Sequence, residues 1–377
     1  PPSTRGVPGP PPAAPPKWAR AAVGGTARAP KKTEPAEVEL PKEPPDLDRT
    51  RGRAPEVVSS SELEPFLWIR RENDEDARAA RRAITAMTRQ AIGVSGYKMN
   101  GDLCKLKYVE QMMADTRLVG AGTGTSEAPW GPGLYPKTKI TMQQPQAVVL
   151  QAAAQIRTRH GDKIAVVSAA STYHCGGGFL TGGRHALEEA MCTQTTLYPS
   201  IAQIRQVVVL GQTDQAPSSE HVPYIPHDGV VLSPKVEVFR EGSDSGYAFM
   251  EEPFLLAGVV SCAMFNRNEA VGDAPMDAPE DASVYEQLVG AKCRAIFKAA
   301  IAAGSTALVM PDIGCGVYQN DPKVVGRIFG EVLRRDFWCQ LDEVVLCGRT
   351  EFQSAVSEAV RAATRDDSFD LGGIQLP

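Results

Sequence analysis

Residues 163–189 read KIAVVSAASTYHCGGGFLTGGRHALEE, and the order of features in this stretch decides the fold. Lys163 to Ser168 is a short apolar run, of strand rather than helix length, and it is continuous rather than alternating. That is the pattern of a strand covered on both faces. A glycine-rich loop follows it, and from Ala186 to about Ile204 the residues read as a helix. Working outward, Gln206–Leu210 (QVVVL), Phe254–Cys262 (FLLAGVVSC), Ser305–Met310 (STALVM) and Glu343–Cys347 (EVVLC) read as further buried strands. Helical spacing is found over Asn73–Ile92, Gln144–Arg159, Val284–Ala303, Pro322–Phe337 and Glu351–Ala363. Buried strands separated by helices imply an α/β protein of three layers, with a mixed central sheet and helices on both faces.

The 377-residue chain, 42% hydrophobic, can fill a sizeable core. Its net charge of −5 and the lack of a basic stripe argue against direct nucleic-acid binding. No apolar stretch is long enough to span a membrane, so no membrane partner is expected. Eight cysteines occur without a CxxC pair, the pattern of reduced thiols in an intracellular protein, cytoplasmic or nuclear.

Fourteen of the thirty prolines fall in residues 1–55, and residues 1–33 carry six basic side chains with no acid. Residues 1–60 are accordingly read as a disordered basic arm, a solvated tail in preference to an organelle transit peptide. The chain opens on proline rather than methionine, so targeting signals are not judged from this end. A domain is expected over residues 70–363, followed by a tail at 364–377. Residues 121–138 read as a long loop. Residues 211–250 and 266–283 read as polar insertions, either shaping the substrate entrance or, most simply, variable connections.

Ligands of such sheets bind where loops leave the carboxyl ends of strands, near helix starts with free N–H groups. Two loops fit. The first carries Ser171, His174, Cys175, Gly176, Gly177, Gly178 and Phe179, and leads to Glu188 and Glu189 at a helix start. Three glycines let the backbone approach a ligand and offer N–H donors to phosphate or ribose hydroxyls. A plain glycine turn and an ordinary acidic first turn account for the same residues separately. The second loop holds Gly314, Cys315, Gly316, Val317 and Tyr318, with Asn320 or Asp321 as the cap of a helix opened by Pro322. It suits a pyrophosphate, with Tyr318 as a flat ring for a sugar or base, or it is simply a capped strand-to-helix turn.

Taken together and in this order, the loops resemble those of the microbial-type poly(ADP-ribose) glycohydrolases, which are macrodomain relatives. The resemblance rests on Ala170-Ser171, on Gly176–Gly178 with Phe179-Leu180, on Leu187-Glu188-Glu189, on Leu197-Tyr198 and on Gly314–Pro322. It implies a macrodomain-like fold over about residues 70–363 and hydrolysis of ribose–ribose bonds in poly(ADP-ribose). Under it Glu189 is the catalytic glutamate and Glu188 its neighbour on the ribose hydroxyls. Gly176–Phe179 form the ribose loop, and Gly314–Tyr318 the diphosphate loop, with Asn320 close by. The family's Asn-Pro before the glycines is His174-Cys175 here, and the Gln of its Gln-Glu-Glu triplet is Leu187.

Cleaving a glycosidic bond requires an acid for the leaving oxygen and a base for water, and one carboxyl can serve as both. Glu189 is expected in that role, with repulsion from an ionised Glu188 raising its pKa and the helix dipole lowering it. The chemistry calls for no cofactor and no metal, since His174, Cys175 and His185 match no zinc spacing. Cys315 is expected to fit the backbone rather than to act as a nucleophile. The partners implied are poly(ADP-ribose) or ADP-ribosylated proteins. A mono-ADP-ribosyl hydrolase and a non-catalytic ADP-ribose-binding module remain the alternatives.

Overall fold

A computed structural model of the protein describes residues 67–71, 74–122, 138–144, 148–183, 185–211, 222–272 and 274–366. The 1–60 arm, most of the 121–138 loop and the end of the 364–377 tail lie outside the described residues. In chain order the elements are α1 (Glu75–Gly93), β1 (Gly96–Met99), β2 (Asp102–Lys105), α2 (Val109–Asp115), β3 (Arg117–Gly120), β4 (Lys139–Met142), α3 (Val149–His160) and β5 (Ile164–Ala169). They continue with α4 (Leu187–Gln194), α5 (Tyr198–Gly211), β6 (Gly229–Pro234), β7 (Glu237–Arg240), β8 (Phe249–Leu255) and β9 (Gly258–Cys262). Last come α6 (Ala282–Ala302), β10 (Ala307–Met310), α7 (Pro322–Asp336), β11 (Glu343–Leu346) and α8 (Thr350–Asp366).

Seven strands form the central sheet in the order β3-β6-β9-β5-β10-β11-β4. Strands β9, β5, β10, β11 and β4 run parallel, and β6 pairs antiparallel with both β9 and β3. Alternate residues serve opposite faces, as strand geometry requires. Ala165, Val167, Leu308 and Met310 join a core with α6, α7 and α8. Ile164, Val166, Ala307 and Val309 join another with α3, α4 and α5. The three-layer α/β arrangement with a mixed sheet is therefore the one expected.

Three elements differ from their sequence reading. Gln206–Leu210 is not a strand but the last turns of α5, which begins at Tyr198. Ile201, Ile204 and Val208 face the core at helical spacing, whereas Val207 is 61% exposed, a position that no strand buried on both faces would offer. The helix expected from Ala186 to Ile204 is two helices, interrupted where Thr195 bridges Val238 and the Thr196 N–H donates to the Glu237 carbonyl at 3.0 Å. Phe254–Cys262 is also divided: β8 pairs with β7 in a separate two-stranded sheet, and β9 joins the central one. Residues 229–240, within the stretch read as an insertion, supply the central strand β6 as well as β7.

Candidate active site

Because β9, β5 and β10 are parallel neighbours, the loops that follow them leave the same edge of the sheet. The loop after β5 is shaped by its own serine: Ser171 Oγ accepts the N–H groups of Tyr173 at 3.3 Å and His174 at 3.0 Å. Gly176 and Gly177 then take φ of +74° and +53°, the left-handed region that a side chain disfavours. At Gly177 a Cβ would also stand 2.3 Å from Glu189 Oε1. The glycine run therefore admits the carboxylate as well as the turn.

Glu188 and Glu189 occupy the first turn of α4 and are buried, at 4% and 6% exposure. Each of their four oxygens accepts one backbone N–H. Glu188 accepts those of Ser171 at 2.8 Å and Gly176 at 2.9 Å. Glu189 accepts those of Gly178 at 2.7 Å and Ala186 at 2.9 Å. Helix and loop thus hold each other. The last of these bonds is half of a capping box, with Glu189 at the third helical position reaching back to the residue before the helix. Burial and then the charge of Glu189 hold the Glu188 carboxyl well above its ordinary range, against the pull of its two N–H donors.

The loop after β10 is built around Asn320. Its side-chain amide donates to the carbonyls of Phe265 and Gly314, both at 2.9 Å, and its oxygen accepts the Tyr285 hydroxyl at 2.7 Å. With 2% exposure and these three bonds, Asn320 braces the loop from inside. Asp321 caps α7, accepting the Lys323 N–H at 2.8 Å, with Pro322 next to it. Gly314 takes φ of +68°, where a Cβ would press on the Met264 side chain. Cys315 is buried and its thiol points to the Ile313 carbonyl at 3.4 Å. Burial pushes that thiol up to about 12, away from a nucleophile's range. Gly316 and Val317 complete the turn, and the Tyr318 hydroxyl donates to Ser171 Oγ at 3.4 Å, joining the two loops directly.

Other expected residues divide by what they touch. The Phe179 ring is turned inward against Tyr198, with centroids 4.9 Å apart. The His174 backbone shapes the glycine turn, its carbonyl accepting the Gly177 N–H at 2.9 Å. Leu187 packs against the apolar core. Among the described residues no three His, Cys, Asp or Glu side chains are grouped to hold a metal.

The sequence reading missed the loop after β9. Asn266 donates to the Ala274 carbonyl at 3.1 Å and its N–H reaches Asp277 at 2.6 Å, while Asp277 accepts the Tyr173 hydroxyl at 3.2 Å. The Asn268 amide holds the Val317 carbonyl at 2.9 Å. This loop, taken from sequence for a variable connection, underpins both of the others. The rule about carboxyl ends of strands, applied to β9 as it was to β5 and β10, would have found it.

Known proteins resemble the chain in part of its sequence and in its fold. The catalytic-domain profile of the microbial-type poly(ADP-ribose) glycohydrolases matches residues 86–241, which include the first loop and the two glutamates. No curated protein sequence matches the chain. Among solved structures, the poly(ADP-ribose) glycohydrolase of Thermomonospora curvata is 26% identical, with a TM-score of 0.57 over 75% of this chain and 99% of that one. The same enzyme bound to the inhibitor ADP-HPD is 25% identical, with a TM-score of 0.56 and the same coverage. A Deinococcus radiodurans poly(ADP-ribose) glycohydrolase in complex with ADP-ribose is 20% identical, with a TM-score of 0.49 over 69% of this chain and all of that one. The chain is thus similar to the microbial-type poly(ADP-ribose) glycohydrolases, in sequence over residues 86–241 and in fold over three quarters of its length.

Proposed function

We propose that the protein is a glycoside hydrolase that cleaves ribose–ribose bonds in poly(ADP-ribose) and releases ADP-ribose, with Glu189 as its general acid and base. The observation that carries this reading is the buried Glu188–Glu189 pair, held by N–H groups of the glycine loop at the shared mouth of the β5 and β10 loops. The similarity to enzymes of that name supports it.

In this scheme Glu189 gives its proton to the leaving ribose oxygen as the bond to the anomeric carbon breaks. Once ionised, it takes a proton from water, whose oxygen bonds to that carbon. The reaction consumes one water, and Glu189 ends protonated as it began. Glu188 orients the ribose hydroxyls, the first loop receives the ribose, and Gly314–Tyr318 receive the diphosphate. The left-handed turn at Gly314 and the Asn320 brace preset that second loop before any ligand arrives, which reduces the ordering cost of binding.

Leu187 favours a second reading. It packs into the core and presents no amide to the site, as befits a module that binds ADP-ribose without turning it over, or a hydrolase of mono-ADP-ribosylated targets. Release of ADP-ribose from purified poly(ADP-ribose), measured for the wild type and Glu189→Gln, separates these. Release lost in the variant supports the proposal. Binding of ADP-ribose without release by the wild type points to the module, and release only from mono-ADP-ribosylated protein points to the other hydrolase.

A further inference from the structure

Glu189 is held on one side by the glycine loop and on the other by the Ala186 N–H. What holds Ala186 is not part of either ligand loop. Next to it, the His185 ring meets the hydroxyl of Tyr247, their ring centroids 5.6 Å apart. Tyr247 lies 62 residues further along, between β7 and β8, and is 1% exposed. Its backbone takes φ of +56°, a conformation that a bulky aromatic residue adopts only where its surroundings impose it. They do so here: the Tyr247 N–H donates to the Gly242 carbonyl at 3.0 Å, and the Tyr247 carbonyl accepts the buried Arg240 guanidinium at 2.6 Å. Arg240 is in turn seated on the Phe249 ring, 3.6 Å from its centroid.

The imidazole is fitted to receive this hydroxyl. Burial, with Arg81 and Arg70 nearby, lowers the His185 pKa to about 4, so the ring is neutral at physiological pH and has one nitrogen free to accept. Burial raises the Tyr247 phenol, which stays protonated, and with the imidazole proton on Nδ1 it donates to Nε2. A few residues before His185, the Arg81 guanidinium donates to the carbonyls of Gly182, at 2.7 Å, and Gly183, at 2.9 Å. The return path from the glycine loop to α4 is therefore fastened at two points, by Arg81 and by Tyr247.

We propose that Tyr247 and His185 are positioning residues for Glu189: the phenol, seated on the imidazole, fixes the chain at Ala186 so that its N–H meets Glu189 Oε2. The inference rests on the hydrolase reading for its kinetic consequence and on geometry alone for its structural one. Among the described residues, the hydrogen bonds and ring contacts of His185 and Tyr247 reach neither the ribose nor the diphosphate loop, so loss of the contact should act on turnover and spare ligand affinity.

The test is Tyr247→Phe, which keeps the ring and removes the hydroxyl. A carboxyl displaced by a fraction of an ångström loses rate steeply, so kcat is expected to fall about ten-fold or more, with the Kd for ADP-ribose within about two-fold of wild type. Hydrogen exchange at the Ala186 amide should accelerate while Gly176 and Gly178 stay protected. His185→Leu should reproduce the kcat loss, and His185→Gln, whose amide oxygen can accept the phenol, should recover part of it. Full kcat in Tyr247→Phe, or a kcat loss matched by lost affinity, overturns the proposal and leaves the hydrolase reading in place. A wild type that binds ADP-ribose and releases none overturns the hydrolase reading. In that event unchanged exchange at Ala186 in Tyr247→Phe overturns the positioning role as well, and faster exchange upholds it.

Discussion

Gly177→Ala isolates the contact on which the site depends. Two separate penalties act at this position. The first is conformational: alanine at φ of +53° loses about 1–2 kcal/mol relative to glycine. The second is steric: the new Cβ would lie 2.3 Å from Glu189 Oε1 and 3.0 Å from its carboxyl carbon. An ordinary contact begins near 3.4 Å, so the carboxylate must move by about an ångström, and the 2.7 Å bond from the Gly178 N–H breaks. A displacement of that size costs on the order of 100-fold in rate. Gly101 supplies the control, because it has φ of +87° with nothing within 4 Å of an added Cβ. Gly101→Ala carries the conformational penalty alone. Urea unfolding of both variants, with ADP-ribose release measured in parallel, should show a stability loss of about 1–2 kcal/mol in Gly101→Ala, and about 1–3 kcal/mol more in Gly177→Ala for the broken buried hydrogen bond. Turnover should collapse only in Gly177→Ala. Wild-type turnover in Gly177→Ala would refute the role given to the Glu189 carboxylate, since that group cannot stay in place beside the new methyl.

Asn320→Ala removes a side chain that makes three buried hydrogen bonds and takes away the acceptor of the Tyr285 hydroxyl proton. A loss of about 2–3 kcal/mol in unfolding free energy is expected, with weaker ADP-ribose binding by calorimetry. At the opposite edge of the sheet, Glu343 is buried and accepts Arg159 at 2.7 and 2.9 Å, His160 at 2.9 Å and Thr141 at 2.5 Å. The Arg159 hydrogen bond, the strongest of these influences, holds its carboxyl far below the ordinary range. Its stabilisation is complete above the unfolded value of about 4.3 and fades as pH falls below it. Glu343→Ala should therefore cost about 2–3 kcal/mol at pH 7, and the gap from wild type should narrow below pH 4 in urea titrations. Glu188 has the opposite sign. Its raised carboxyl means that the folded protein holds that proton more tightly than the unfolded chain, so its ionisation weakens the fold as pH rises. The pH dependence of wild-type unfolding should include that loss, and Glu188→Gln should remove it.

The parts of the fold legible in the sequence were those whose causes are local. The strand KIAVVS, the Asp321-Pro322 start of α7 and the long apolar spacing of α6 each carry their own signal within a few residues. The errors arose where a distant partner decides. The valines of α5 have strand-like composition, but the helix is set by Ile201, Ile204 and Val208 packing on the sheet. The break between α4 and α5 comes from Thr195 and Thr196 bonding to β7, some forty residues away. Strands β3 and β4 are as short as β10 and β11 but lie at the two edges of the sheet, largely exposed, so they lack the unbroken apolar run that marks a strand buried on both faces.

The same division runs through the site. Glu188, Glu189 and the two glycine loops were legible because a carboxylate pair directly after a glycine run is a pattern of neighbours. The residues that fix their geometry form no such pattern. Asp277 reaches the first loop through Tyr173, Asn268 reaches the second through Val317, and Arg81 holds the carbonyls of Gly182 and Gly183 from α1. None of them stands out from its neighbours in sequence, and each becomes informative only when burial leaves its polar atoms few possible partners. This asymmetry has a physical basis. Groups that meet a ligand must cluster where the backbone opens, and a short loop can present them together. Groups that hold those loops rigid must approach from other elements, because a loop cannot brace itself against its own motion.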